Sequence, residues 1–400
     1  MPTPLTLSMV ETLALATLGL LMGEFLTQRI SVLERLCLPG PVLGGLILGS
    51  GITLLRTQQV PLSFDTSLQT PLMIAFFLAI GWTASLRNLR SGGLMVLKFL
   101  VLCSGVLLIQ NLVGVWLAKS LGHPPLLGLL AGSVSLTGGP GTALAFAGAF
   151  EKAGVSGAGT IGTTCALAGI VLGGLLGAPT AALLMKFRGI KPPGRNEALP
   201  HESQPSENRV TLQMRDLPLH FGFFLLVMAL GTLFGKFVQA RGLTLPVTIG
   251  SMVVAAVVRN VHDTHKNHFL SEDWIESMGS IALSYFLVVA TMTLELNQLA
   301  GIASTLVVIL LVQTLLTVLI AATLVFRSSG RDYDAIVMSS GFIGFMLGTT
   351  ANAMANMNGI TSRHGTAPRA YLVVPIVGAC FIDFINALVI TLSIPWLSSS

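Results

Sequence analysis

Charged residues are scarce in this chain of 400 residues. It has 22 Lys and Arg and 17 Asp and Glu, so 10% of its residues are charged, whereas a soluble domain carries about 25%. Hydrophobic residues make up 52%, and the mean hydropathy is +0.81. A soluble fold with so few charges could not cover its own surface. The composition therefore excludes a soluble protein and favours one that lies in a lipid bilayer.

Cysteine is also rare, which excludes a disulfide or metal framework. The four cysteines are far apart, no two form a Cys-x-x-Cys pair, and each lies in or beside an apolar stretch: Cys37, Cys103, Cys165 and Cys380. We expect them to be small buried hydrophobic residues. The first basic residue is Arg29, so the first apolar segment lacks the basic start of a signal peptide and is predicted to be a retained span.

The basic residues do not form a nucleic-acid surface. The net charge is +5, but Lys and Arg are scattered between apolar stretches, which is typical of residues that orient a membrane protein. The sequence Gly138-Gly-Pro-Gly-Thr has no following Lys and no preceding strand, so it does not predict a nucleotide site. No catalytic set of side chains can be placed, and we expect neither an enzyme, nor an organic cofactor, nor a nucleic-acid partner.

Ten stretches approach the length of about 20 apolar residues that a spanning helix needs. They cover about 7–28, 38–55, 69–86, 93–118, 160–185, 217–240, 243–259, 277–295, 301–326 and 369–397. The fold class predicted is an all-α polytopic membrane protein. A long polar segment, 186–216, contains Pro, Gly and charges and is predicted to be a linker.

A weak repeat crosses this linker. Leu18-Gly-Leu-Leu-Met-Gly resembles Leu230-Gly-Thr-Leu-Phe-Gly, and Gly141-Thr resembles Gly348-Thr. Three further matches follow the same order: Pro41-Val with Pro246-Val, Phe77-Leu with Phe286-Leu, and Gln110 with Gln313. The nearly constant offset predicts a duplication, with an N-terminal half at 1–185 and a C-terminal half at 217–400.

Two apolar stretches, 126–150 and 333–358, are unusually rich in Gly, Ser, Thr and Asn. If both enter the membrane and return on the same side, each half has five spans and the two halves are inverted. With the N-terminus outside, 17 of the 22 basic residues then lie on the cytoplasmic side, as the positive-inside rule requires. This arrangement predicts a cytoplasmic linker and both termini outside.

The same two stretches are the best candidates for a binding site. Interrupted segments at matching places in two inverted halves indicate the substrate site of a transporter. Unwound carbonyls and nearby hydroxyls suit a hard cation such as Na⁺, and helix N-termini favour a substrate carboxylate. Close packing of small residues is the alternative interpretation. The hydroxyls belong to Ser133, Ser135, Thr137, Thr142, Thr349 and Thr350.

Asp383 is the most informative single residue, because it lies near the middle of the last predicted span. An acidic residue there costs about 2.5–3.5 kcal/mol on insertion scales, so it should face the protein interior. We interpret it as a cation ligand or a proton acceptor, with Asn386 one turn away on the same face. An interhelical polar bond that only fixes packing is the alternative.

Other polar residues carry weaker predictions. Gln110 and Gln313 are expected to be hydrogen-bonding partners between helices. The run from His262 through His265 to His268 has helical spacing but lies in a charged stretch, so we predict a solvated turn rather than a metal site. Glu11 and Glu24 lie towards the ends of the first span and are expected to be solvated by headgroups.

The chain resembles the bacterial sodium/glutamate symporter family over nearly its whole length. Ser135-Leu-Thr-Gly-Gly-Pro-Gly-Thr-Ala and Gly348-Thr-Thr-Ala-Asn-Ala-Met-Ala-Asn-Met are similar to the family's paired re-entrant motifs, and Pro71 to Gly81 and Leu372 to Ile390 are similar as well. The resemblance implies Na⁺-coupled uptake of L-glutamate, two inverted five-span halves each with a re-entrant hairpin, an elevator-type movement, homodimers and a bacterial plasma-membrane location.

Residue chemistry and resemblance together give the candidate site. Predicted substrate-binding residues are Ser135, Thr137, Gly138, Gly139, Gly141, Thr142, Gly348, Thr349, Thr350, Asn352 and Asn356. Predicted Na⁺ ligands are Ser133, Ser135, Thr349, Asp383 and Asn386. A proton- or Na⁺-coupled carrier of another organic anion and a passive channel are the alternatives.

Overall fold

We describe a computed structural model of the chain, in which residues 5–57, 62–91, 93–190, 192, 217–241, 247–264, 271–294 and 301–398 are described. This part is helical, as predicted, except for two short parallel strands. Strand β1 (Leu5–Leu7) pairs with β2 (Leu62–Phe64), with Leu5 opposite Leu62 and Leu7 opposite Phe64. The periodicity of the sequence did not predict these strands. Most of the predicted linker lies outside the described residues.

The N-terminal half contains nine helices in the described residues. They are α1 (Met9–Arg29), α2 (Ser31–Arg35), α3 (Gly40–Thr57), α4 (Gln69–Thr83), α5 (Leu86–Ser91), α6 (Gly93–Ser120), α7 (Pro125–Leu129), α8 (Gly139–Lys152) and α9 (Ala158–Arg188). A π-helical segment, Leu130–Val134, continues α7.

The described part of the C-terminal half contains nine more. They are α10 (Leu217–Ala240), α11 (Val247–His262), α12 (Glu272–Met292), α13 (Ala303–Ile320), α14 (Phe326–Ser328), α15 (Tyr333–Leu347), α16 (Thr350–His364), α17 (Pro368–Pro375) and α18 (Ile382–Ser398). The π-helical segments Ala321–Val325 and Ile376–Phe381 join α13 to α14 and α17 to α18.

Local sequence explains where several helices begin and end. Ser8 and Glu11 form a capping box at the start of α1, in which Glu11 Oε2 accepts from the Ser8 amide at 2.8 Å. Glu11 therefore has a partner within the helix. Gly189, with φ of +64°, ends α9 in the left-handed conformation that glycine adopts easily.

Seven continuous helices in the described residues are long and apolar enough to cross a membrane, and each matches a predicted span. They are Met9–Arg29, Gly93–Ser120, Ala158–Arg188, Leu217–Ala240, Glu272–Met292, Ala303–Ser328 and Pro368–Ser398. The other three predicted spans correspond to α3, α4 and α11, which have 18, 15 and 16 residues. The structure is thus that of a polytopic α-helical membrane protein.

The helices form two packed groups. The six-helix group consists of α1, α3, α4, α10, α11 and α12. The other group consists of α6–α9 and α13–α18 and is called the cavity group, because it contains the cavity described below. In the six-helix group, α1 packs on α3 and α10 packs on α11. In addition, α3 packs on α12 and α11 packs on α4, so helices of the N-terminal half pack against helices of the C-terminal half.

In the cavity group, helices of the two halves also pack against each other. Helix α9, the last of the N-terminal half, packs on α15 and α16, while α18, the last of the C-terminal half, packs on α7 and Leu130–Val134. The contact of α9 with α15 depends on Gly169, because a Cβ there would overlap the carbonyl of Leu347. The last helix of each half thus supports the unusual segment of the other half.

Candidate functional site

The first Gly-rich stretch is broken in the middle, as its composition predicted. Gly132 leaves the helical conformation at φ −91° and ψ −128°, and Gly139 has φ of +67°. Pro140 lies in the first turn of α8, where its missing amide costs nothing because first-turn amides have no partner within the helix. Helices α7 and α8 are therefore separated by a short irregular segment at 135–138.

The second stretch is an antiparallel helical hairpin. Helix α15 ends at Leu347, and α16 begins at Thr350 with Thr349 as its N-cap, whose hydroxyl accepts from the Asn352 amide at 3.4 Å. Asn356 donates back to the Ser340 carbonyl at 3.4 Å, which shows that the two helices lie side by side. Gly348 at the break has φ of −154° and ψ of −112°, so the helical conformation ends there.

The two breaks meet inside the protein. The Thr137 hydroxyl oxygen lies 3.5 Å from the Met346 carbonyl oxygen, so the two segments are in contact. A Cβ on Gly139 would lie 3.7 Å from Thr349 Cγ2 and 3.9 Å from the Gly348 carbonyl oxygen. Residues more than 200 positions apart in the sequence, one set from each predicted half, thus lie next to each other.

A small polar cavity of about 60 Å³ lies at this meeting point. This volume is well below the roughly 300–1,000 Å³ of pockets that hold drug-sized ligands. The first break, the second break, and the segment that leads into α18 all contribute to its wall. The residues are Thr137, Gly138, Phe345, Gly348, Thr349, Thr350, Gly378, Ile382 and Asp383.

Asp383 is the ionisable side chain of this wall among the described residues. The side chain is partly exposed, and within the described ranges it makes no ion pair: the pairs found there involve Arg259 and Arg369. The π-helical turn at Ile376–Phe381 precedes it and brings Gly378 close to Phe345 and Thr350. A lone carboxylate in an otherwise uncharged wall favours a positively charged partner.

The predicted Na⁺ ligands fall into two places. Thr349 and Asp383 line the cavity. Ser133 and Asn386 form a reciprocal buried pair instead: the Ser133 hydroxyl donates to Asn386 Oδ1 at 2.8 Å, and Asn386 Nδ2 donates to the Ser133 carbonyl at 3.0 Å. Ser135 donates to the Leu130 carbonyl at 2.6 Å.

The predicted substrate contacts are divided in the same way. Thr137, Gly138, Gly348, Thr349 and Thr350 line the cavity, and Gly139 lies beside it. A different environment surrounds the remaining candidates: Asn352 donates to the Ile170 carbonyl at 2.7 Å, Asn356 donates to the Gly173 carbonyl at 3.0 Å, and Gly141 lies against Leu283 and Phe76. Thr142 is buried against Gly138.

Among the residues near the site, two agree with the sequence prediction and two were not predicted. Gln110 and Gln313 are hydrogen-bonded as expected, with Gln313 Nε2 donating to the Gln110 carbonyl at 2.6 Å. Gly378 and Phe345 lie in stretches that the sequence analysis named, but they were missed as site residues because neither has a reactive side chain. Gly378 enters the cavity wall only through the π-helical turn.

The prediction of a solvated turn at the histidines is wrong for His262. This residue ends α11 and is buried, close to the Trp82 ring. Arg259, one turn earlier, is also buried and pairs with Asp263 at 3.0 Å and with Glu272. The ion pairs remove the need for water, so this end of α11 can be packed. His265 and His268 lie outside the described residues, and the described part of the chain holds no cluster of three His, Cys, Asp or Glu.

The prediction of buried cysteines is confirmed for Cys103 and Cys165, which are buried and free. It is wrong for Cys37, which is partly exposed because it lies in the turn after α2. The side chain of Cys380 lies outside the described residues.

Comparison with known proteins identifies the family. The family model described as sodium/glutamate symporter matches residues 5–366. The chain is 37% identical over 402 residues to a sodium/glutamate symporter of Haemophilus influenzae, with 97% of each chain covered. It is also 37% identical over 392 residues to one of Escherichia coli, covering 96% of this chain and 97% of that protein. The chain therefore belongs to the sodium/glutamate symporter family, and it is a transporter and not an enzyme.

Proposed function

We propose that the protein couples the inward movement of Na⁺ to the uptake of L-glutamate by alternating access. The observation that carries this proposal is the cavity between the two helix breaks, with one carboxylate in its wall, in a chain of this family. Broken helices around a central cavity are how transporters bind ions and small polar substrates without a large opening in the membrane.

The substrate carboxylates would bind to the backbone at the breaks. No Lys or Arg lines the cavity among the described residues, so a basic side chain is not the counter-charge there. Helices α8 and α16 both begin at the cavity, and the first amides of a helix favour an anion. The hydroxyls of Thr137, Thr349 and Thr350 add hydrogen-bonding groups that suit a carboxylate. Gly138, Gly139 and Gly348 allow the backbone to come close to the substrate.

Asp383 and Thr349 are the Na⁺ ligands that the cavity supports best. Sodium prefers oxygen ligands, and an aspartate with no ion-pair partner at this depth is stabilised by a cation. Ser133 and Asn386 satisfy each other, so they would bind Na⁺ only after their mutual hydrogen bonds break. Asn352 and Asn356, which bond to the carbonyls of α9, would hold the second break in place rather than contact the substrate.

The architecture we propose has two inverted five-span halves, with re-entrant hairpins at 126–150 and 333–358. In the six-helix group, the contact of α1 with α3 matches that of α10 with α11, and the contact of α3 with α12 matches that of α11 with α4. In the cavity group, the contact of α9 with α15 matches that of α18 with α7. These matching contacts support a duplication. With α3, α4 and α11 also counted as spans, the positive-inside distribution supports outside termini and a cytoplasmic linker in a bacterial plasma membrane. Homodimers follow from the family resemblance alone.

An elevator-type movement would slide the cavity group along the six-helix group. A gap of about 280 Å³ lies between them, with α4, α11 and α12 on one side and Pro375, Ile376 and Ala379 on the other. A tightly interdigitated core does not deform continuously, so a boundary with open space is better suited to sliding. This gap supports the movement of one group against the other.

Uptake by purified protein in proteoliposomes tests the function. Labelled L-glutamate should accumulate when an inward Na⁺ gradient is imposed, and accumulation should stop when K⁺ replaces Na⁺. Saturation and dependence on the gradient would separate this activity from a passive channel. Equal uptake with and without the gradient would contradict the proposal, and uptake of other organic anions in competition would define selectivity.

A further inference from the structure

Gln110 connects the two helix breaks although it does not line the cavity. It lies in α6 and is completely buried. Its Nε2 donates to the Met346 carbonyl, at the end of α15, at 3.1 Å. Its Oε1 accepts from the Thr137 hydroxyl, in the first break, at 3.0 Å. One amide side chain thus uses both of its functional ends, one on each break.

Residues of α13 also contact Gln110. Gln110 Nε2 also lies 3.3 Å from the Thr317 hydroxyl, and Gln313 Nε2 donates to the Gln110 backbone carbonyl at 2.6 Å. Gln313 is equally buried, but its donor bonds to α6, whereas Gln110 bonds to the breaks. The two glutamines correspond in the repeat, so one is a natural control for the other.

The two groups that Gln110 holds lie 3.5 Å from each other, farther than either lies from Gln110. The Met346 carbonyl is in the last turn of α15, where carbonyls have no partner within the helix. The Thr137 hydroxyl lines the cavity and can rotate about a single bond. With Gln110 in place, the carbonyl and the hydroxyl are kept at a fixed separation, and so are the breaks that present backbone groups to the substrate.

We infer that Gln110 is a positioning residue that sets the distance between the two breaks and thereby the affinity for the transported substrate. The inference rests on the proposed Na⁺-coupled uptake of glutamate. Replacing Gln110 by an apolar residue of similar size removes both bonds and leaves every cavity-lining side chain unchanged. We therefore expect weaker binding, with KM for glutamate about tenfold higher and a smaller change in the maximal rate.

The transport experiment compares Gln110→Leu with Gln313→Leu in proteoliposomes. Both variants remove a buried amide at the interface of α6 and α13, so a purely structural effect should appear in both. A rise in KM for Gln110→Leu, with KM for Gln313→Leu close to wild type, supports the inference. Equal effects on KM in the two variants would overturn it. If Gln110→Leu does not yield folded protein, Gln110→Met, which keeps the side-chain length, replaces it.

A double-mutant cycle tests the bridge itself. Thr137→Val removes the hydroxyl that bonds to Gln110, so it should add little to the loss of thermal stability in a Gln110→Leu background. In a Gln313→Leu background the two losses should add, because Gln313 does not share this bond. Thermal unfolding can be measured without any transport, so the cycle tests the bridge independently of the proposed function. The proposed function would be refuted separately, if the wild type showed no Na⁺-driven glutamate uptake. Additive losses for Gln110 and Thr137 would refute the bridge.

Discussion

Asp383 combines two features that are rarely found together in a membrane protein. It is an acidic residue in an apolar helix, and it lines a cavity in which no described side chain neutralises it. A carboxylate in such a place is costly unless a cation or a proton accompanies it. Its position next to both helix breaks links the charge of the ion to the site proposed for the substrate.

We expect Asp383→Asn to raise the Na⁺ concentration for half-maximal glutamate uptake at least about tenfold, or 1.4 kcal/mol. The amide keeps the size and one oxygen ligand but removes the charge. The measurement is uptake against external Na⁺ at fixed pH, for wild type and variant. Asp65→Asn, an exposed change in the loop after β2, is the control and should have no effect.

An unchanged Na⁺ dependence in Asp383→Asn would leave the aspartate as a packing residue. A proton site has a different consequence: wild-type uptake would rise with an inward pH gradient when Na⁺ is absent. The two measurements on the same preparation therefore separate Na⁺ coupling from proton coupling.

The Asn386 side chain is expected to act on stability rather than on transport directly. Asn386→Ala leaves the Ser133 hydroxyl and carbonyl without their buried partner, at a cost of about 1–3 kcal/mol. Thermal unfolding in detergent should show a lower Tm. Ser393→Ala, which removes a bond within the same helix, should lower Tm much less. A wild-type Tm with a strong loss of Na⁺ affinity would instead assign Asn386 to the ion site.

At the scale of the elements, the two breaks depend on glycine for different reasons. Gly139 has a left-handed backbone that a β-branched residue adopts only with strain. At Gly348 the constraint is space, because a Cβ would lie 2.6 Å from Asn352 Nδ2 and 3.2 Å from Ile170 Cα.

Gly139→Val should therefore reduce uptake at least about tenfold, since a strained residue of this kind costs about 1–3 kcal/mol. A Cβ at this position would lie no closer than 3.7 Å to its nearest neighbours. The new side chain therefore causes no steric clash at its Cβ, and expression should be preserved. Gly148→Val in the same helix, where a Cβ meets nothing, is the matched control. Normal transport by Gly139→Val would mean that the first break is ordinary helix packing.

Gly348→Val is expected to lose stability as well as uptake, because the new side chain meets the backbone of α9. The melting temperature and the uptake rate are measured for both variants. A lower melting temperature for Gly348→Val than for Gly139→Val distinguishes steric exclusion at Gly348 from local strain at Gly139. Equal stability of both variants would contradict the steric explanation.

At the scale of the whole molecule, the orientation in the membrane follows from the basic residues. With both termini outside, 17 of 22 basic residues lie on the cytoplasmic side. In a chain without its native cysteines, a cysteine at Ser399 should react with an impermeant reagent from outside. One at Ser203, in the predicted linker, should react only after the cells are permeabilised. The reverse pattern of labelling would refute the orientation.

The sequence by itself determined the class of the molecule and the positions of its long apolar helices. Low charge excludes a soluble fold, and the length of each apolar stretch predicts a helix because backbone groups in lipid must bond within the chain. Local composition was also sufficient for the breaks, since Gly139 and Pro140 disfavour a continuous helix. The motifs at Ser135 and Gly348 were sufficient to indicate the family.

Only the tertiary structure decided which polar residues share a cavity. Ser133, Asn386, Asn352 and Asn356 have the same chemistry as Thr137, Thr349 and Asp383, and all lie in or near the same motifs. The side chains of the first four residues form hydrogen bonds with backbone carbonyls or with each other, because a buried polar group must find a partner. Which partner is within reach depends on how α9 and α18 pack against the opposite half, and periodicity along one helix carries no information about that packing.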